Sequence, residues 1–186
     1  MKRLALSLVA ALSMAAIATT AFAIDTVTQV VNPGTRTAST ADLTLTAVTY
    51  SHTAQTSTGS MTLTADDRSG SGAGWNVTIL SSAFVWTAGT GGASGGTNIP
   101  AVNFSLSSAA TPVMTAGQVV DVTGGPKVPT VSPVGTLDSA RKTVQANANF
   151  GQGAYTQALG VSLSIPAQSR AGTYTGTLTT TIAAAP

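Results

Sequence analysis

The 186-residue chain has no cysteine and no glutamate, a single histidine (His52), and only 8% charged residues. The missing thiols exclude a disulfide-stapled scaffold and any thiolate-held zinc or iron–sulfur centre. With few groups able to move protons, the composition argues against an enzyme. No bound metal or cofactor is expected. Amphipathic helical spacing is also missing beyond two turns. Disorder is not the alternative, because disordered chains pair low hydrophobicity with high net charge. Here 43% of residues are hydrophobic, enough for a packed core.

The positive charge is concentrated at the start. Lys2 and Arg3 precede the apolar run 4–18, and Ala21-Phe22-Ala23 has the small-residue pattern of an export cleavage site. Residues 1–23 are therefore expected to be a cleaved signal peptide, since the run is short of the roughly 20 apolar residues a span requires. The remaining chain, 24–186, holds six basic residues (Arg36, Arg68, Lys127, Arg141, Lys142, Arg170) and six acidic ones (Asp25, Asp42, Asp66, Asp67, Asp121, Asp138), which cancel. A neutral chain lacks the clustered positive face that phosphate binding needs, so no nucleic-acid partner is expected. Nor is any membrane association expected after cleavage.

What remains is rich in Thr, Ser, Gly and Ala, and it alternates. Leu43–Ala47, Met61–Ala65, Val161–Ile165 and Tyr174–Ile182 have period two, with apolar side chains on one face and hydroxyls on the other. Weaker strand signals cover Thr26–Val31, Trp75–Leu80, Phe84–Trp86, Val102–Leu106, Val119–Val122 and Thr143–Phe150. Gly, Pro, Asn and Ser clusters lie between them, with surface loops expected at Ala88–Thr97 and Gly124–Pro133. About eight to ten short strands at such spacing predict an all-β fold, a single antiparallel two-sheet sandwich.

Chemistry-bearing motifs are few. Gly92-Ala93-Ser94-Gly95-Gly96 matches the G-x-S-x-G nucleophile elbow in letters only, because no helix follows and His52 lies upstream of the serine. Asp66 and Asp67 are adjacent, so a strand would send them to opposite faces, unsuited to a catalytic pair. Turn capping fits them better than a calcium loop. His52 reads as a hairpin-end residue. Trp75 shares its face with Val77 and Ile79, which marks it as a core anchor, with sugar stacking as the alternative. Trp86, beside the Gly-rich loop, is the candidate for an exposed stacking aromatic.

Two segments resemble the WxL-domain family. Leu63–Thr78 (LTADDRSGSGAGWNVT) resembles the family's first signature, a strand leading into D-x-R-G-x-G-x-G-W and a W-x-L triplet. Ile165–Ile182 (IPAQSRAGTYTGTLTTTI) resembles its closing pattern of Pro, turn, A-G-T-Y-T and a last strand with the second triplet. The first triplet here is Trp75-Asn76-Val77, and the second is Thr180-Thr181-Ile182, with Thr in place of Trp. The resemblance implies an exported bacterial surface protein held non-covalently to the cell wall, with peptidoglycan as ligand. It points to Trp75, Val77, Asp66, Arg68 and Ile182 as wall-binding residues. A structural alternative is a surface-fibre subunit that self-associates, with Ile24–Val31 (IDTVTQVV) adding as a strand to a neighbour's sheet edge.

Overall fold

The computed structural model describes residues 26–89, 93–131 and 133–184. The expected signal peptide, residues 1–23, lies outside them. The chain divides into two compact units, Met1–Val31 and Asn32–Pro186. In the first, residues 26–31 are exposed and form no strand, contrary to the sequence signal at Thr26–Val31. None of the described residues is in an α-helix, and no helix among them is long and apolar enough to cross a membrane.

The described part of the second unit is an all-β sandwich of antiparallel strands: β1 (Arg36–Thr40), β2 (Gln55–Asp67), β3 (Trp75–Ser81), β4 (Val85–Ala88), β5 (Phe104–Ala109), β6 (Val113–Gly117), β7 (Gly135–Thr136), β8 (Arg141–Ala146), β9 (Gly153–Ile165), β10 (Gly172–Thr175) and β11 (Leu178–Ala184). One sheet runs β1-β2-β9-β5-β7, with β6 also on β9; a second runs β11-β3-β8; β10 and β4 form a two-stranded ribbon. The backbone of the large sheet is the pairing of the two 13-residue strands β2 and β9, from Gln55↔Ile165 to Asp66↔Ala154. In β2 the odd positions face inward and the even positions from Thr56 to Thr64 are outward hydroxyls, the period that alternation encodes.

The core is one cluster drawn from both sheets: Met61, Leu63, Tyr155, Leu159, Val161, Phe104 and Leu106 from one, Trp75, Val77, Ile79, Val144 and Ala146 from the other. Gln157 of β9 crosses between the layers, its Nε2 donating to the carbonyls of Thr143 in β8 and Ala110, both at 3.0 Å. Thr143 and Val144 are both buried although they are neighbours. The register slips there, since Val77 pairs with Val144 and Thr78 with Lys142, and such a bulge turns two successive side chains inward.

Four strand expectations are corrected in this unit. Leu43–Ala47 is not a strand; it is a strap. Gly59 on the inner face of β2 leaves room that Leu43 and Leu45 fill: a Cβ there would lie 3.2 and 2.9 Å from their methyls. The Ser57 hydroxyl, rather than a backbone N–H, reaches the Thr46 carbonyl at 2.8 Å. Alternation thus reports one buried face and not a ladder partner. Tyr174–Ile182 is likewise two strands. Thr175 pairs with Val85 and Leu178 with Ser81, so the chain gains one residue between β3 and β4 relative to β10 and β11. Phe84 occupies that bulge, turned inward edge-on to Phe104 at 5.2 Å and lying across Gly176. Val119–Val122 also forms no strand, and Thr143–Phe150 is strand only to Ala146.

Candidate functional site

The first signature builds a buried corner. Asp67 closes β2, its Oδ1 3.0 Å from Arg36 Nε; the approach is off the N–H direction, making this an ionic contact rather than a hydrogen bond. The same oxygen accepts from the Ser69 backbone N–H at 2.9 Å, and Arg36 Nη2 donates to Ser71 Oγ at 2.7 Å, tying the loop to β1. The two aspartates do part to opposite faces: Asp66 points out and takes Arg68 Nε at 2.7 Å, with Arg68 76% exposed. Gly74 enters β3 at φ +73°, where a Cβ would meet the Ala146 carbonyl at 2.6 Å, so only glycine brings the loop this close.

Trp75 follows, with no exposed surface. Its Nε1–H donates to the Gly151 carbonyl at 2.9 Å, and its ring lies 6.1 Å from that of Tyr155. The Tyr155 hydroxyl donates to the Gln118 carbonyl at 2.6 Å. Burial, and secondarily the Asp67 carboxylate, hold its pKa above the usual phenol value. Val77 is equally buried and pairs across the ladder with Ile182. The two triplets thus meet at that one pair, on the neighbouring strands β3 and β11. Thr180, standing where the family pattern has its second Trp, pairs with Ile79 and meets Thr40 of β1 hydroxyl to hydroxyl at 3.2 Å. Trp75 and Val77 therefore offer no surface to a wall polymer. Both side chains pack in the core cluster of the sandwich.

The closing signature lies elsewhere, on an open groove of about 630 Å³. One side is the strap 43–51, the floor includes Gln55, Ser57, Leu163, Ile165 and Phe84, and the other side is Ser169–Gly176 with β10. Every residue from Ala171 to Gly176 contributes, which puts the edge of β10, not one of its faces, on the groove. Tyr174 is half-buried and its hydroxyl donates to the Arg170 carbonyl at 2.9 Å. Tyr50 is exposed on the strap, edge-on to His52 at 5.3 Å. Arg170 is the one charged residue of the lining and makes no ion pair among the described residues. From Ser57 at the groove to Asp66 at the corner is nine residues of one strand, roughly 30 Å.

Trp86 is not an open stacking platform. It is half-buried, its Nε1–H donates to Ala171 at 3.2 Å, and Gly96 rests against its indole so closely that a Cβ would lie 2.1 Å from the ring. Ala93–Gly96 is irregular and no α-helix follows among the described residues, only a single 3-10 turn at Ala101–Asn103; Gly92 lies outside them. Among the described residues no three His, Asp or Glu side chains gather as a metal site. The groove itself was missed from sequence. The signal that could have found it is the pairing of an alternating segment, Leu43–Ala47, with small inward residues, Ser57 and Gly59, on the strand that follows.

A rigid hydroxyl-rich sandwich with an open groove has the build of a surface module that holds a partner. The chain belongs to the WxL family: a family model described as "WxL domain surface cell wall-binding" matches residues 15–186. It is thus a cell-wall-binding domain of the cell surface. Comparison with curated proteins and with solved structures gives no match.

Proposed function

We propose that the chain, exported and cleaved before Ile24, attaches non-covalently and without catalysis to peptidoglycan through the groove between β10 and the strap. The observation that carries this is the placement of Ala171–Thr175, the best-kept part of the closing signature, along one groove wall. The lining joins hydroxyls with the half-buried Tyr174 and exposed Tyr50, a mixture suited to a wet polar interface. Trp75, Val77 and Ile182 serve by fixing β3 against β11, and Asp66 with Arg68 provides a second, outer polar patch. Cosedimentation of the full chain with isolated peptidoglycan tests the reading: binding that survives at low salt is expected, and none at low salt overturns it.

A second reading, a fibre subunit, is favoured by one observation. Thr26–Val31 makes no ladder bond among the described residues and its Val27 is 96% exposed, leaving a strand-like segment free to add to another copy. Fibres in negative stain are its expected outcome; monodisperse particles at high concentration exclude it.

A further inference from the structure

Resting on the peptidoglycan reading, we infer that the groove receives the peptide stem of the wall polymer, laid as an extended chain along the free edge of β10, and not its sugar rings. The first argument is backbone. β10 pairs with β4 alone, so the alternate N–H and C=O groups on its second edge have no ladder partner and border the groove, although the Ala171 and Thr173 carbonyls take the Trp86 indole N–H and the Thr87 hydroxyl. On the facing strap, among the described residues, no N–H from Asp42 to Tyr50 makes a backbone hydrogen bond, and the Thr46 carbonyl takes the Ser57 hydroxyl. An edge that offers main-chain donors and acceptors selects a peptide, whose own amides match it, over a pyranose. Four residues of β10 at about 3.3 Å each give roughly 13 Å, the span of a four- or five-residue peptide.

The second argument is charge. Arg170 brings one uncompensated cation to a lining without any acidic group. Stem peptides carry free carboxylates, whereas an unsubstituted sugar ring carries none, and a guanidinium–carboxylate contact is the strong form of hydrogen bond. The third is the aromatics. Ring stacking on a sugar needs an open flat face, and among the rings of the lining only Tyr50, edge-on to His52, is exposed; Tyr174 is half-buried with its hydroxyl engaged, and Trp86 beyond the lining has Gly96 against its indole.

The test is competition for the full chain bound to sacculi. The competitors are soluble stem peptide, the same peptide with its carboxylates amidated, and glycan strands stripped of peptide by an amidase, with the lactyl carboxylates that this hydrolysis frees then capped as amides. Displacement by the free peptide is expected, with a loss of about tenfold on amidation and a similar loss for Arg170→Gln that Arg170→Lys partly restores. Displacement by the stripped glycan, or none by the peptide, overturns the inference while leaving peptidoglycan binding in place. Failure to bind sacculi at all removes the peptidoglycan reading and the inference with it. Circular dichroism of both Arg170 variants, whose side chain is exposed, confirms that the fold is intact.

Discussion

The corner at Trp75 and the groove at β10 lie at opposite ends of β2, and each carries one of the two segments of the family pattern, the first buried and the second open. At the corner the signature's two carboxylates and its indole N–H are answered from within: Asp67 by Arg36 and Ser69, Asp66 by Arg68, and the indole N–H by Gly151. At the groove, β10 has a ladder partner on one side only, and Arg170 makes no ion pair among the described residues. A motif residue can therefore mark where a fold is pinned as readily as where a ligand is held, and burial tells the two apart.

The largest expected effect breaks the corner. Trp75→Ala should cost about 3–5 kcal/mol in urea unfolding, as other large aromatic truncations in cores do, and abolish wall binding only because the fold is lost. Next, Arg36→Met strands the nearly inaccessible Asp67 carboxylate without its counter-charge, and a loss of about 3 kcal/mol is expected by the same measurement. The groove behaves in reverse: Arg170→Gln should change stability by less than about 0.5 kcal/mol, as for exposed sites in general, and still weaken cosedimentation with the wall.

Two smaller effects sharpen the contrast. Because Tyr155 has a raised folded-state pKa, its contribution is fully present below the unfolded value of about 10 and is lost as pH climbs through the folded value. Unfolding followed above pH 10 should show a fall in stability that Tyr155→Phe flattens, while wall binding at neutral pH persists. Thr180→Val, which removes only the hydroxyl contact to Thr40, should cost under about 1 kcal/mol and leave wall binding unchanged.

Much of the sandwich was legible in the residues. Met61–Ala65 and Val161–Ile165 alternate because they are inward-outward ladders in the middle of the large sheet, and the inward face shared by Trp75, Val77 and Ile79 follows from the same period. The edges were not legible. Arg36–Thr40 (RTAST) has no large apolar residue, and it is a strand because β2 supplies a ladder, a non-local cause that propensity does not carry. Val113–Gly117 is exposed along its whole length for the same reason. Leu43–Ala47 failed in the other direction, since two leucines fitted against Gly59 produce alternation without pairing. The groove depends on both failures: it exists because the strap plugs the sheet instead of joining it and because the Phe84 bulge separates β4–β10 from β3–β11.

Binding and stability measured on the same preparations of wild type and Arg170→Gln separate the two ends most directly. If the groove holds the wall and the corner holds the fold, the variant unfolds at the wild-type urea midpoint and is released from sacculi at roughly tenfold lower protein affinity. Equal affinity of the two for sacculi, at equal stability, contradicts the assignment of wall contact to the groove.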